Sequence, residues 1–281
     1  MDSNTKTDRL ESQARGDDQG WTIDAREISI GKNVVIEPGV TIAGIGGPAD
    51  RIVIGDNCYL GTNTKIRVPE LHIGDYVRIN NHALIYGYCP IYIGHNAWFG
   101  QNIILNSTDA LVIGNNCCIG AYSQLWTHFQ FGDILEGCRF NSTAPLRLGN
   151  DVWISGNCVV SPITAEDRSL AMPGSVVTSD MRYNRVYAGN PARDMTDRLG
   201  NQFKPVSIDE KIAHFKIKLL EFLQNHPQFD SSNFGVFADG KLVEPGEIIF
   251  NLDQRTYTKV GTAAETALML YLLPKIKFTP A

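Results

Sequence analysis

The hydrophobic pattern of the chain repeats every six residues from Ile30 onward. Each step opens on an aliphatic residue that is often followed by glycine, as in IGKNVV, IGDNCY, IGDYVR, IGHNAW and IGNNCC. A period of six fits neither an amphipathic helix nor an alternating antiparallel strand. It is typical of a parallel β-helix built from hexapeptides.

The six-residue steps group in threes, and extra residues fall almost always after the third step. Three steps per coil predict three flat faces, so the mainly β fold is a triangular prism. With a weaker opening set at Ile30, Ile36 and Ile42, about seven coils stacked at about 4.8 Å would make a prism about 30 Å tall. The inward positions are Ile54, Leu60, Ile66; Ile73, Ile79, Ile85; Ile93, Phe99, Leu105; Ile113, Ile119, Leu125; Leu148, Ile154, Val160; and Ala165, Ala171, Val177.

The fifth position of each step must be small because it packs near a corner of the prism. Four of the six cysteines occupy it: Cys58, Cys89, Cys117 and Cys158. A cysteine there serves as a small apolar filler. Because the chain has no CxxC pair and its cysteine spacings are irregular, reduced structural cysteines are predicted in place of disulfides or a metal site.

The composition disfavours two classes of partner and indicates where the protein works. The formal charge of −5 and the lack of basic runs disfavour nucleic acid and anionic membrane surfaces as partners. The first twenty residues lack the apolar stretch of a signal peptide, and no later stretch is long enough to span a bilayer. A cytoplasmic protein without a membrane span is therefore expected.

The repeat breaks step for about twenty residues after His128. On either side lie TH at 127–128, APLRLGNDVWISGNCVV at 144–160, PGSVVTSD at 173–180 and VYAGNPAR at 186–193. These segments resemble the hexapeptide-repeat acyltransferases, in the branch of the maltose, galactoside and colanic-acid-type O-acetyltransferases. The resemblance covers residues 24–195. It implies a left-handed parallel β-helix, a rare exception to the right-handed crossover rule.

The resemblance also implies a chemistry. A member of this family transfers acetyl from acetyl-CoA to a hydroxyl of a sugar or glycan acceptor, without a metal, and usually works as a homotrimer with its active sites between neighbouring prisms. His128 stands where the family has its catalytic histidine. A neutral imidazole is a suitable general base for a hydroxyl. The irregular loop after His128 is interpreted as a wall of the active site that selects the acceptor.

A second group should hold the far nitrogen of His128. Stacking predicts that LNSTDA lies under LWTHFQ, which brings Asn106 and Asp109 into reach, and Asn106 also matches a common family asparagine. Asp133 and Glu136 on the loop are alternatives and are kept as acceptor-side candidates. Trp126, next to His128, is either a sugar platform or an oligomer contact.

The coenzyme residues are carried over from the resemblance. Trp153 would be a platform for pantetheine or sugar, while Ser155 and Gly156 would offer main-chain amides to the thioester. The last coils and the GNPAR turn add Ser175, Thr178, Asn190, Pro191, Ala192 and Arg193, with Arg193 facing phosphate. The chain departs from the family at Ser179, where lysine is common, at Met172 and Pro173, and at a coil one residue short near Pro162.

The sequence is also compatible with two other functions. N-acetylation of an amino sugar or nucleotide sugar is the alternative reaction, and a non-catalytic β-helix scaffold is the competing class. A zinc hydrolase would need three converging imidazoles. The hexapeptide register points His82, His95 and His128 away from different walls, so no metal is expected.

The six-residue period ends after Arg193. A capping box at Ser207 and Glu210 predicts an amphipathic helix that ends at Pro227, followed by strands around Asp239-Gly240 and a second helix from Thr262 to Pro274. The predicted organisation is a flexible N-terminal arm (1–23), the β-helix (24–195) and an α+β appendage (196–281). The appendage is either a packing or oligomer-stabilising element, or a lid or partner-docking module.

Overall fold

The computed structural model describes residues 13–16 and 20–281. The chain divides into two compact units, Met1–Gln202 and Phe203–Ala281. The first unit therefore extends beyond the predicted end of the repeat and includes the short helix Thr196–Leu199. Most of the predicted N-terminal arm lies outside the described residues, but Gln13–Gly16 forms a strand antiparallel to Trp21–Asp24.

Residues 21–189 wind into a left-handed parallel β-helix with three walls, named here in the chain order B, C and A. Wall B contains Trp21–Ile30, Ala49–Ile54, Glu70–Ile73, Ile91–Ile93, Leu111–Ile113, Leu146–Leu148 and Thr164–Ala165. Wall C contains Val35–Ile36, Tyr59–Leu60, Arg78–Ile79, Trp98–Phe99, Cys118–Ile119, Trp153–Ile154, Leu170–Ala171 and Val186–Gly189. Wall A contains Thr41–Ala43, Lys65–Arg67, Leu84–Gly87, Ile104–Ser107, Gln124–Leu125, Val159–Val160 and Val176–Val177.

The strand pairing confirms the predicted register. On wall B, Ile54 pairs with Ile73, which pairs in turn with Ile93. The series continues through Ile113 to Leu148. The inward residues from Ile54 to Val177 are buried, because each wall contributes one aliphatic side chain per coil to a continuous core. Ile30 is partly exposed at the open end of the stack.

The corners of the prism depend on a backbone conformation that asparagine tolerates. Corner residues such as Asn57, Asn63 and Asn116 have φ near 60°, in the left-handed region where asparagine is enriched. Along the corner between walls B and C, side-chain acceptors bond the backbone of the coil before. Asp75 Oδ1 accepts the Asp56 N–H at 2.8 Å, and His95 Nδ1 accepts the Asp75 N–H at 2.9 Å. His95 thus has a structural partner at a corner.

The corner fillers are packed as predicted, with one exception. Cys58, Cys117 and Cys158 are buried, whereas Cys89 is only partly buried and its thiol donates to the Thr108 carbonyl. Burial raises the pKa of the Cys117 thiol to about 12 and also raises the pKa of Cys158. No disulfide joins any of the six cysteines, all of which are in the described part of the chain.

The second unit is a small α+β fold. A five-stranded sheet contains Lys241–Glu244, Phe234–Ala238, Ile248–Asn251, Thr256–Tyr257 and Thr279–Pro280, in that spatial order. Its helices are Ile208–Asn225, which begins in the predicted Ser207–Glu210 capping box, and Ala263–Leu272, with a 3-10 turn at Ser231–Asn233. None of the helices in the described residues combines the length and apolar character needed to cross a bilayer.

Candidate active site

The interruption of the repeat is a two-stranded ribbon at the corner between walls A and B. His128–Gln130 pairs antiparallel with Asn141–Thr143, so that His128 lies opposite Thr143 at the base. The Ala144 N–H closes that base by donating to the Thr127 carbonyl at 3.1 Å. His128 is therefore the first residue of the ribbon and is held directly against the β-helix.

The ring of His128 contacts the coil beneath it. Its Nδ1 lies 2.8 Å from Asn106 Oδ1 and 3.1 Å from Thr108 Oγ1. The Thr108 backbone N–H also donates to Asn106 Oδ1, at 3.1 Å, which identifies that atom as the amide oxygen. Because an amide oxygen only accepts, the proton of a neutral His128 belongs on Nδ1 and the lone pair on Nε2.

Asn106 is fixed by its own surroundings. It is 1% exposed, and its Oδ1 also accepts the Thr127 hydroxyl at 3.0 Å. Leu105 pairs with Leu125 on wall A, so the turn after Leu105 lies under the turn after Leu125. Thr108 was not among the residues predicted for the site. The signal was present, because Thr108 follows Leu105 by the same three residues that separate His128 from Leu125.

Asp109 was predicted to lie within reach of the far nitrogen of His128, but its hydrogen bonds are to its own turn and to Thr127. Its carboxylate accepts the Ala110 N–H at 2.7 Å, and its own N–H donates to the Thr127 hydroxyl at 3.1 Å. Among the contacts of the described residues, its carboxylate makes no bond to His128. Asp109 therefore shapes the turn that supports the imidazole.

The acceptor-side candidates divide into two groups. The ring of Trp126 meets that of His128 edge to face, with centroids 5.6 Å apart, and its Nε1 donates to Gln124 at 3.2 Å. Asp133 and Glu136 are exposed towards the end of the ribbon, where the Asp133 carboxylate accepts the Leu135 N–H at 2.8 Å. Trp126 thus borders the imidazole, whereas the two carboxylates are separated from it along the ribbon.

Several coenzyme candidates lie on or beside wall C. Trp153 points outward from it and is 45% exposed. The Ser155 N–H is already used by the Ala171 carbonyl at 3.0 Å, so it is not available as a donor to a thioester. Ser175 is buried and its hydroxyl donates to the Met172 carbonyl at 2.7 Å, which removes it from a ligand surface. Gly156 follows at the corner between walls C and A.

The remaining coenzyme candidates lie at the end of the prism, and all of them except Ala192 are exposed. Thr178 follows Val177 on wall A, in the column that includes Ser161 and Trp126 in the coils below. Residues 190–193 belong to a hairpin in which Ala192–Asp194 runs antiparallel to Val186–Gly189, with a cis bond between Asn190 and Pro191. Ala192 is buried, whereas Arg193 is exposed.

The candidate residues do not form one cleft within a single chain. His128, Trp126 and Thr178 follow wall A near its corner with wall B. Trp153 lies on wall C, which in a triangular prism is opposite that corner, and Gly156 lies at the corner between walls C and A. Among the described residues, no group of three or more metal-ligating side chains occurs.

Comparison with known proteins agrees with this architecture. Residues 51–81 match the hexapeptide repeat of succinyl-transferase. The galactoside O-acetyltransferase of Escherichia coli K12 is 32% identical over 106 residues, which are 37% of this chain and 52% of that protein. The bifunctional protein GlmU of Listeria welshimeri is 24% identical over 178 residues, covering 55% of this chain and 36% of the relative.

A solved structure provides a further comparison. The polysialic acid O-acetyltransferase OatWY superimposes with a TM-score of 0.50 at 20% identity, over 59% of this chain and 82% of that one. The likeness concerns the fold. The chain spans about half the length of the curated acetyltransferase relatives it matches. In its repeat and register, and by these relatives, the chain is similar to the hexapeptide-repeat acyltransferases.

Proposed function

We propose that the chain is an acetyl-CoA-dependent O-acetyltransferase acting on a hydroxyl of a sugar or glycan, with His128 as general base. The observation that carries the proposal is the bond between His128 Nδ1 and Asn106 Oδ1, which leaves the Nε2 lone pair as the basic site. The named activities of the similar proteins support the reaction class.

In the proposed reaction, His128 Nε2 takes the proton of the acceptor hydroxyl as its oxygen attacks the thioester carbonyl. A new C–O bond forms and the C–S bond breaks. The imidazolium then gives its proton to the departing thiolate, so that the products are the acetyl ester and the CoA thiol. Asn106 Oδ1 accepts the hydrogen bond from His128 Nδ1 throughout the reaction, and this bond also stabilises the transient imidazolium.

We also propose a homotrimer in the cytoplasm. The separation of Trp153 and Gly156 from His128 in one chain supports an active site shared between copies. In that arrangement the Gly156 N–H of a neighbouring copy would face the carbonyl oxygen as it gains negative charge. The use of Cys58, Cys117 and Cys158 as buried corner fillers suits a reducing compartment.

The test measures release of free CoA thiol from acetyl-CoA with a panel of sugars, nucleotide sugars, alcohols and amino sugars. We expect hydroxyl acceptors to be used and His128→Ala to lower kcat about 100-fold or more. His214→Ala, on an exposed face of the second unit, is the matched control and should leave activity unchanged. If amines are acetylated faster than hydroxyls, N-acetylation replaces the proposed reaction. A chain that binds no CoA would instead be a scaffold.

A further inference from the structure

Wall B carries two aromatic rings that stack on each other. His72 and Tyr92 occupy the same outward position in successive coils. Their ring centres are 4.9 Å apart, and the ring planes differ by 24°. The Glu70 carboxylate bonds His72 Nε2 and so orients the imidazole. Because the spacing of the two rings matches the spacing of about 4.8 Å between coils, rings at this outward position lie one above the other along the wall.

The next outward position has no ring. Val112 pairs with Tyr92 on one side and with Arg147 on the other. The valine side chain is short and half-buried, whereas Tyr92 is 41% exposed and Arg147 is exposed. Among the described residues, no second ring contacts Tyr92, so the ring face turned away from His72 is uncovered. We call the gap over Val112, between Tyr92 and Arg147, the wall B slot.

The slot has the height of one flat ring. Two coil spacings, about 9.6 Å, separate Tyr92 from Arg147. Stacked rings lie about 4.5 to 7 Å apart between their centres, so a ring that stacks on two neighbours needs about 9 Å or more. A guanidinium is planar and stacks on aromatic faces as a ring does. A flat aromatic ring at the height of Val112 therefore contacts Tyr92 on one face and Arg147 on the other.

Arg147 also adds a positive charge to the slot. Among the contacts of residues 13–16 and 20–281, its guanidinium has no hydrogen bond and no ion pair. The nearby carboxylates are already in use, because Glu70 bonds His72 and Asp109 accepts the Ala110 N–H. The N–H groups of a guanidinium point outward in its plane, so its edge can bond a phosphate while its face stacks. The slot thus favours a ligand that joins a flat aromatic ring to an anionic group.

We propose that the wall B slot binds a nucleotide, with the base between Tyr92 and Arg147 and the phosphate on the edge of the Arg147 guanidinium. A nucleotide combines a flat heteroaromatic ring with a phosphate, and every base has a face that can stack. The inference does not rest on the proposed function, because the slot makes no use of His128. A free nucleotide and a nucleotide-linked sugar share this chemistry, and the experiment distinguishes them.

Equilibrium dialysis of the full chain against UMP, without acetyl-CoA, measures the binding. We expect Tyr92→Ala to weaken it about tenfold or more, because stacking on that ring face is lost. Arg147→Ala should weaken it by a similar factor, and Arg147→Lys should recover only part of the loss, since an ammonium keeps the charge but has no planar face. Ribose 5-phosphate, which carries the phosphate without a base, should bind about tenfold more weakly than UMP. Equal binding of the two compounds would overturn the proposal.

Filling the slot provides the second test. Val112→Phe places the chain's own ring at the height of the base, so binding of UMP should be lost. Val53→Phe is the matched control, because Val53 occupies the same outward position one coil below His72 and lies outside the slot. This variant should bind UMP as the unsubstituted chain does, and thermal unfolding followed by circular dichroism verifies that both variants fold. Binding of UMP that persists in folded Val112→Phe, or no binding by the unsubstituted chain at millimolar UMP, refutes the proposal.

The two nucleotide sources are separated by comparing UDP-glucose with UDP. Tighter binding of UDP-glucose indicates a nucleotide-linked sugar whose sugar also contacts the wall, whereas equal or weaker binding indicates a free nucleotide. In both cases Val112→Phe should abolish the binding. Methyl galactoside tests a sugar without a base. If Val112→Phe abolishes binding of methyl galactoside while UMP does not bind at all, the slot is a sugar platform and the proposal is wrong.

Discussion

The tautomer of His128 depends on one amide oxygen. Asn106→Leu removes the acceptor from Nδ1 while keeping a similar volume, so we expect kcat to fall about 10- to 100-fold with little change in KM. Asn106→Asp keeps an acceptor at that position and should retain more activity than Asn106→Leu. Steady-state kinetics over a range of acceptor concentrations measures the difference.

Thr108→Val should lower kcat less than Asn106→Leu does. It removes the hydroxyl 3.1 Å from Nδ1 and leaves Asn106 in place, so we expect a loss in kcat below about tenfold. A larger loss than that of Asn106→Leu would mean that Thr108, and not Asn106, orients the imidazole.

Burial of the Cys117 thiol should make it unreactive in the folded chain. Its folded pKa of about 12 lies above the ordinary value of 9.0, so the thiolate that reacts with iodoacetamide is scarce near pH 9. We expect Cys117 to be labelled only after unfolding, as read by mass spectrometry of peptides. The Cys117 thiol ionises at a lower pH in the unfolded chain than in the folded chain. The contribution of the protonated thiol to folding stability is therefore present below pH 9 and is lost as the pH rises towards 12. Labelling of Cys117 in the folded chain at the rate of a model thiol would contradict its burial.

At the scale of secondary-structure elements, the ribbon extends from the corner between walls A and B, and a backbone hydrogen bond closes that corner at the base of the ribbon. The bond from the Ala144 N–H to the Thr127 carbonyl joins the two ends of the ribbon, so replacing residues 129–142 with a short glycine-serine turn should leave the β-helix folded. We expect an unchanged β signal in circular dichroism together with loss of acetyl transfer. Global unfolding of this variant would show that the ribbon contributes to the core.

Glu265 is buried and stabilises the start of a helix in the second unit. Its Oε2 accepts the backbone N–H groups of Val260 and Gly261, both at 2.6 Å, just before the helix Ala263–Leu272. Glu265→Ala leaves these donors without that acceptor and should destabilise the second unit by about 3 kcal/mol. Ser207→Ala, at the N-cap of the exposed helix start, should cost about 1 kcal/mol. Urea unfolding followed by helical circular dichroism compares the two variants, and equal losses would contradict the larger role of Glu265.

The sequence predicted the regular elements well because each hexapeptide satisfies the same local requirement. One aliphatic residue must fill the interior, as Ile54, Ile73 and Ile93 do, and a pattern enforced in every coil can be seen without a structure. Side chains at the corners follow no such repeat. Whether the Asp109 carboxylate binds an imidazole or caps its own turn depends on hydrogen-bond geometry, and so does the inward direction of the Ser175 hydroxyl. The ribbon has no repeat at all, so its strands were not predicted.

For the whole molecule, an active site shared between copies predicts complementation. His128→Ala lacks the proposed base and Trp153→Ala lacks the proposed platform, so each should be nearly inactive when assembled alone. After the two variants are dissociated, mixed equally and reassembled, about one quarter of the sites should combine an intact His128 with the second copy's intact Trp153. We therefore expect CoA release at about one quarter of the unsubstituted rate. Mixing His128→Ala with His128→Asn is the control and should recover nothing, because no copy then supplies a base. If the mixture of His128→Ala and Trp153→Ala also stays inactive after exchange of copies has been verified, each chain must build its site alone, with its own Trp153. If Trp153→Ala is active by itself, wall C has no part in the site.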